Sequence, residues 1–62
     1  MLTEKERKVL EFRKKGLKQV DIARKLNISQ PAVSAFEANA LRKIKEAAET
    51  VEFARDNGIK IE

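Results

Sequence analysis

Gln30, Pro31, Ala32, Ser34, Ala35 and Ala38 lie within nine residues of one another, and Arg42, Lys43 and Lys45 follow directly. A glutamine amide can bond both polar atoms of an adenine edge, and small methyl-bearing side chains can lie against thymine methyl groups. The first three turns contain no arginine to pair with guanine. The set therefore suits A·T edges and close approach to the duplex, where local shape is read as well. The cations that follow suit phosphate, which fixes register and supplies the salt-dependent part of affinity. The chemistry predicted here is duplex readout. Base contacts fall to Gln30, Pro31, Ala32, Ser34, Ala35 and Ala38, and phosphate contacts to Lys14, Lys15, Lys18, Ser29, Arg42, Lys43 and Lys45. Against this, any one of those lysines taken alone reads equally well as a solvated surface residue.

Other chemistries find less support. Glu46, Glu49 and Glu52 share a helix face at a spacing of three, but acid–base catalysis needs a concave, partly dry site that so small a helical chain does not offer. Neither cysteine nor histidine occurs, so disulfides and the usual zinc sites are excluded. No cofactor and no small-molecule pocket is signalled. Stacking on unpaired bases needs exposed aromatics on a basic platform, whereas Phe12 and Phe36 fall at core spacing and Phe53 stands alone. Val20 is a single apolar residue at an outward position of its helix, a common and uninformative occurrence.

Three punctuating residues, Gly16, Pro31 and Gly58, divide the chain into the elements that must carry this set. Thr3 with Glu6 forms a capping box, so a first helix is predicted from about Glu4 to Lys15, with Val9, Leu10 and Phe12 inward and Gly16 as a left-handed cap. A second helix is predicted from Lys18 or Gln19 to Leu26, poorly capped at its start and ended by Asn27, which tolerates the left-handed turn. Ser29 then caps a third helix with Pro31 in its first turn. Two helices over so short a turn need a small residue at their crossing, here Ala23, and apolar side chains facing the first helix, here Ile22, Leu26, Ile28, Val33 and Phe36. This is the pattern of a helix-turn-helix.

Nothing stops the third helix before Asp56-Asn57-Gly58. Its apolar positions Val33, Phe36, Ala40, Ile44, Ala47, Val51 and Ala54 step by three and four, the spacing of a coiled-coil seam. The predicted fold class is all-α: a trihelical helix-turn-helix body over residues 1–45, and over 46–62 an extension of the recognition helix with a tail. Ile59-Lys60-Ile61 alternates like the start of a strand but is too short to assign. Because the core is thin and the seam outruns it, the extension is predicted to dimerise two copies through Ala47, Val51, Phe53 and Ala54.

The 62 residues carry a net charge of +4, unevenly spread. Residues 1–45 hold twelve Lys/Arg against five Asp/Glu, and residues 46–62 hold two against five. A basic body with an acidic tail marks one part of the surface for a polyanion. The alternative is the helix-friendly surface of a charged, heat-adapted protein. No apolar run approaches a membrane span and no signal peptide is visible, so a cytoplasmic, nucleoid-associated protein is expected.

Leu2-Thr3-Glu4-Lys5-Glu6-Arg7-Lys8-Val9-Leu10 resembles the opening of the fourth region of bacterial sigma factors and of LuxR-type domains. Ser29 to Lys45, with Val33, Phe36, Glu37, Ala40-Leu41-Arg42-Lys43 and Ile44-Lys45, is similar to the sigma recognition helix. The continuation through Ala47-Ala48-Glu49-Thr50 looks most like the archaeal Tfx family of DNA-binding proteins. The resemblance spans roughly residues 2–55 and implies a transcription factor that binds promoter DNA. In the sigma group the positions matching Gln30, Pro31, Ser34 and Ala35 are usually longer and polar or charged; here only Gln30 and Ser34 are polar. Tfx members tend to have a further C-terminal domain, so this chain, ending at Glu62, is expected to be a fragment or a minimal member. The leading expectation is a sequence-specific regulator of transcription, a homodimer on double-stranded DNA weighted toward A·T pairs. The alternative is a helix-turn-helix protein-interaction module, favoured by the nearly neutral face of Pro31, Ala32, Ala35 and Ala38.

Overall fold

The computed structural model describes residues 1–60 as three helices: α1 (Glu4–Lys14), α2 (Gln19–Leu26) and α3 (Gln30–Asp56). No strand occurs among the described residues, and the architecture is all-α, as expected. Ile59 and Lys60 follow α3 without regular structure, and Ile61 lies outside the described residues.

Each start has its local cause. Thr3 Oγ1 accepts from the Glu6 amide at 3.2 Å while Glu6 Oε1 accepts from the Thr3 amide at 2.8 Å, closing the capping box. Lys18 caps α2 without a side-chain bond, as its residue type dictates. Ser29 Oγ accepts from the Ala32 amide at 3.2 Å, and Pro31 sits in the first turn of α3, where its missing donor costs nothing.

All three ends are built alike. After each helix one residue takes positive φ: Gly16 at 90°, Asn27 at 55° and Gly58 at 69°. The next amide reaches back five residues, from Leu17 to Phe12 at 3.1 Å, from Ile28 to Ala23 at 3.0 Å and from Ile59 to Ala54 at 2.7 Å. A second bond runs from the positive-φ residue itself to Arg13, Arg24 or Arg55. These are Schellman closures, and after the first two the apolar residues Leu17 and Ile28 pack against the core.

The core is Val9, Ile22, Ala23 and Val33, with Phe12, Leu17, Leu26, Ile28 and Phe36 packed around it. Ala23 is buried where α2 meets its neighbours, which is why a small residue is required there. Ala40 continues the buried line along α3, and beyond Lys43, which is bonded to Glu6, the helix leaves the body. Ile44, Ala47 and Val51 are exposed, so the seam predicted over α3 is covered only in its first half. Ala54 is again buried, but locally, at the end closed by Ile59. The result is an elongated molecule, 45 × 19 × 15 Å, in which a compact body carries a helical arm.

Candidate nucleic-acid interface

Two polar clusters hold α3 against the body and so fix which of its faces is free. Glu37 accepts from Arg13 Nε and from Gln19 Nε2, both at 2.9 Å, tying the end of α1 and the start of α2 to one carboxylate. Arg13 Nη1 also donates to the Leu17 carbonyl at 3.3 Å, securing the turn between them. At the other end of α1, Lys43 Nζ donates to Glu6 Oε1 at 2.9 Å and to the Met1 carbonyl at 3.3 Å. Glu6 is buried, and its bond from Lys43, with the Thr3 amide second, holds its pKa down to about 2 against an ordinary 4.5.

With α3 pinned on that side, the opposite side of its first turns is open. Gln30, Pro31, Ser34, Ala35 and Ala38 are exposed there, and Arg42 and Lys45 continue the face. Ala32 is half-buried, turned partly toward the body. Ser29 is exposed, although its hydroxyl serves as the cap. Lys14, Lys15 and Lys18 are exposed around the α1–α2 turn, with the Lys15 ammonium 5.9 Å from the centre of the Phe12 ring.

Not every expected residue falls in place. Lys43 does not join the cationic set, because its ammonium is taken up by Glu6 and the Met1 carbonyl. Arg42 is exposed and loosely paired with Glu46 at 3.4 Å. Among the four residues expected at a dimer interface, Ala47 and Val51 share a stripe, Ala54 is closed into the helix cap, and Phe53 faces elsewhere at 64% exposure. The structure adds Leu41, an exposed apolar residue beside Ile44 that the seam assignment passed over. It also adds the Arg13–Glu37–Gln19 cluster, for which neither spacing nor composition gives a signal.

Among the described residues no cluster of His, Cys, Asp or Glu could hold a metal, and no helix is long and apolar enough to cross a membrane. A short helix, a tight left-handed turn and a second helix with its N-terminal turns uncovered define a helix-turn-helix protein. The chain belongs to the luxR family of bacterial regulatory proteins, whose model matches residues 1–55. It is homologous to the DNA-binding protein Tfx of Methanothermobacter thermautotrophicus, 39% identical over 54 residues that make up 87% of this chain and 39% of that protein. The Tfx protein of Methanothermobacter marburgensis matches to the same extent. A candidate transcriptional regulatory protein of Pyrococcus abyssi is 50% identical over 50 residues, 81% of this chain and 34% of that protein. The chain thus spans 39% of the length of the Tfx relatives. No solved structure matches it.

Proposed function

We propose that the chain binds double-stranded DNA sequence-specifically and regulates transcription, with the first turns of α3 in the major groove. The observation that carries this is the open face of α3, where Gln30, Ser34, Ala35 and Ala38 stand uncovered at the end of the helix that such motifs insert. The names of the Tfx relatives support it. Gln30 bonds an adenine edge, Ala35 and Ala38 touch thymine methyls, and the bound site is weighted toward A·T pairs. Pro31 and Ala32 shape the approach. Phosphates are held by Lys14, Lys15, Lys18, Ser29, Arg42 and Lys45, with Lys43 reserved for Glu6. Two copies act together on two half-sites, in the cytoplasm and on the nucleoid.

The neutral character of Pro31, Ala35 and Ala38 favours a second reading, a protein-interaction module using the same face. Selection from a randomised duplex pool, followed by fluorescence anisotropy at two salt concentrations, separates the two. The first reading expects enrichment of A·T-rich symmetric sites and affinity that falls steeply with salt. Absence of duplex binding at low salt overturns it.

A further inference from the structure

Beyond the body, α3 exposes a second stripe: Leu41 at 54%, Ile44 at 46% and Val51 at 42%, with Ala48 between them at steps of three, four and three. On a helical wheel this stripe lies about 110° from the face of Pro31, Ser34, Ala35, Ala38, Arg42 and Lys45, rather than directly behind it. Charge along the arm is segregated. Arg42, Lys43 and Lys45 precede Glu46, Glu49, Glu52 and Asp56, with only Arg55 against the trend. Among the described residues, Lys45, Glu49 and Glu52 take part in no ion pair.

We propose that the occupant of this stripe is a second copy of the chain, packed antiparallel and centred near residue 46. This deepens, and rests on, the DNA-binding reading above. Charge decides the direction. A parallel pair sets basic turn level with basic turn and acidic half level with acidic half. An antiparallel pair lays the basic turn of each copy along the acidic half of the other, with Lys45 within about one turn of the partner's Glu49. Size decides the register. Centring at residue 46 places Leu41 on the partner's Val51 and Ile44 on the partner's Ala48, so a larger side chain meets a smaller one in each layer.

The DNA-reading faces then follow. An antiparallel pair is related by a two-fold axis perpendicular to both helices. A reading face about 110° from the contact points along that axis in both copies, so both face one side of a duplex. Had the stripe lain directly behind the reading face, the two faces would point apart. Ser34 lies twelve residues before position 46, or about 18 Å, which sets the two recognition turns about 36 Å apart. That is one turn of B-DNA, so half-site centres are expected ten to eleven base pairs apart, roughly the spacing of palindromic operators. The seam is short, and DNA strengthens it by holding both copies at high effective concentration.

The chain has no cysteine, so single-cysteine variants report the packing directly. Ile44→Cys and Ala48→Cys variants are mixed in equal amounts and mildly oxidised, with and without duplex DNA. The mixed 44–48 disulfide is expected to exceed either self-disulfide by at least about fivefold. Self-disulfides in the majority indicate a parallel pair and overturn the proposal. So does the absence of any cross-link under both conditions, which assigns the stripe to another partner or to none. A Val51→Glu variant is expected to lose about a hundredfold in affinity for a two-half-site duplex while keeping its weak, salt-dependent binding to one half-site. If the unaltered chain binds no duplex, the DNA reading fails, while the cross-linking result still decides how two copies pack.

Discussion

Lys43 and Glu6 meet 37 positions apart in sequence, and their bond decides which lysines of α3 remain free for a partner. Glu6 both caps α1 and neutralises Lys43, so its charge matters to the fold twice. Because its folded pKa is below the ordinary value, the stability it contributes is fully present above about pH 4.5 and is lost as pH falls toward about 2. Thermal melts across that window are expected to show a falling midpoint. Glu6→Gln keeps an acceptor for the Thr3 amide and is expected to lower the midpoint at neutral pH while flattening the acid limb. Glu37 is the second such residue: Glu37→Ala frees both Arg13 and Gln19 and is expected to cost about 1–2 kcal/mol by denaturant unfolding, since the carboxylate is mostly buried and doubly bonded. Neither pairing is visible along the chain. Lys43 reads as part of a basic run until the fold shows that it flanks the line of Phe36 and Ala40.

Helix boundaries were far more legible, because each rests on neighbours in sequence. The Thr3/Glu6 box, Ser29, Pro31, Asn27 and both glycines act within a few residues and place α1, α2 and α3 almost to the residue, α1 ending at Lys14 where Lys15 was expected. The core was legible for the same reason, as Ala23, Ile22 and Val33 follow from helical spacing. What spacing could not resolve was which apolar residues of the arm share an open stripe, since Leu41 appears only once α1 and α2 are seen to cover the other side. The left-handed turn offers a sharp test at this scale. Asn27→Ala is expected to cost about 1 kcal/mol, because a Cβ without a polar group is disfavoured at positive φ, whereas Asn27→Gly is expected to be neutral or slightly stabilising. Chemical denaturation of the two variants side by side checks both signs. Inside the body, Ile22→Ala removes a fully buried side chain and is expected to cost about 2–5 kcal/mol, enough to unfold a domain this small.

The whole molecule separates two tasks along one axis: a body of opposed small helices fixes one end of α3, and the other end stands clear of it. Charge follows the same division, basic over residues 1–45 and acidic beyond. The acidic arm repels phosphate, so in the proposed DNA reading contact is confined to the body and the first turns of α3. Replacing Arg42 or Lys45 with alanine is therefore expected to weaken duplex binding similarly for all sequences and to reduce the salt slope by about one unit each, read from anisotropy titrations at several salt concentrations. Lys43→Ala is expected to leave that slope unchanged and to act on stability instead. The 27 residues of α3 contain no internal break, so distance and rotation along it are locked together. One residue inserted after Lys45 would lengthen the arm by only about 1.5 Å but turn its far half by about 100°. Seven would return it to within about 20° of its original phase while adding about 10 Å. The arm behaves as a screw thread set against a second one: insertions near whole turns keep the stripe in phase. The seven-residue variant nonetheless moves the half-sites about three base pairs along the duplex and is expected to bind two-half-site DNA less well at any spacing.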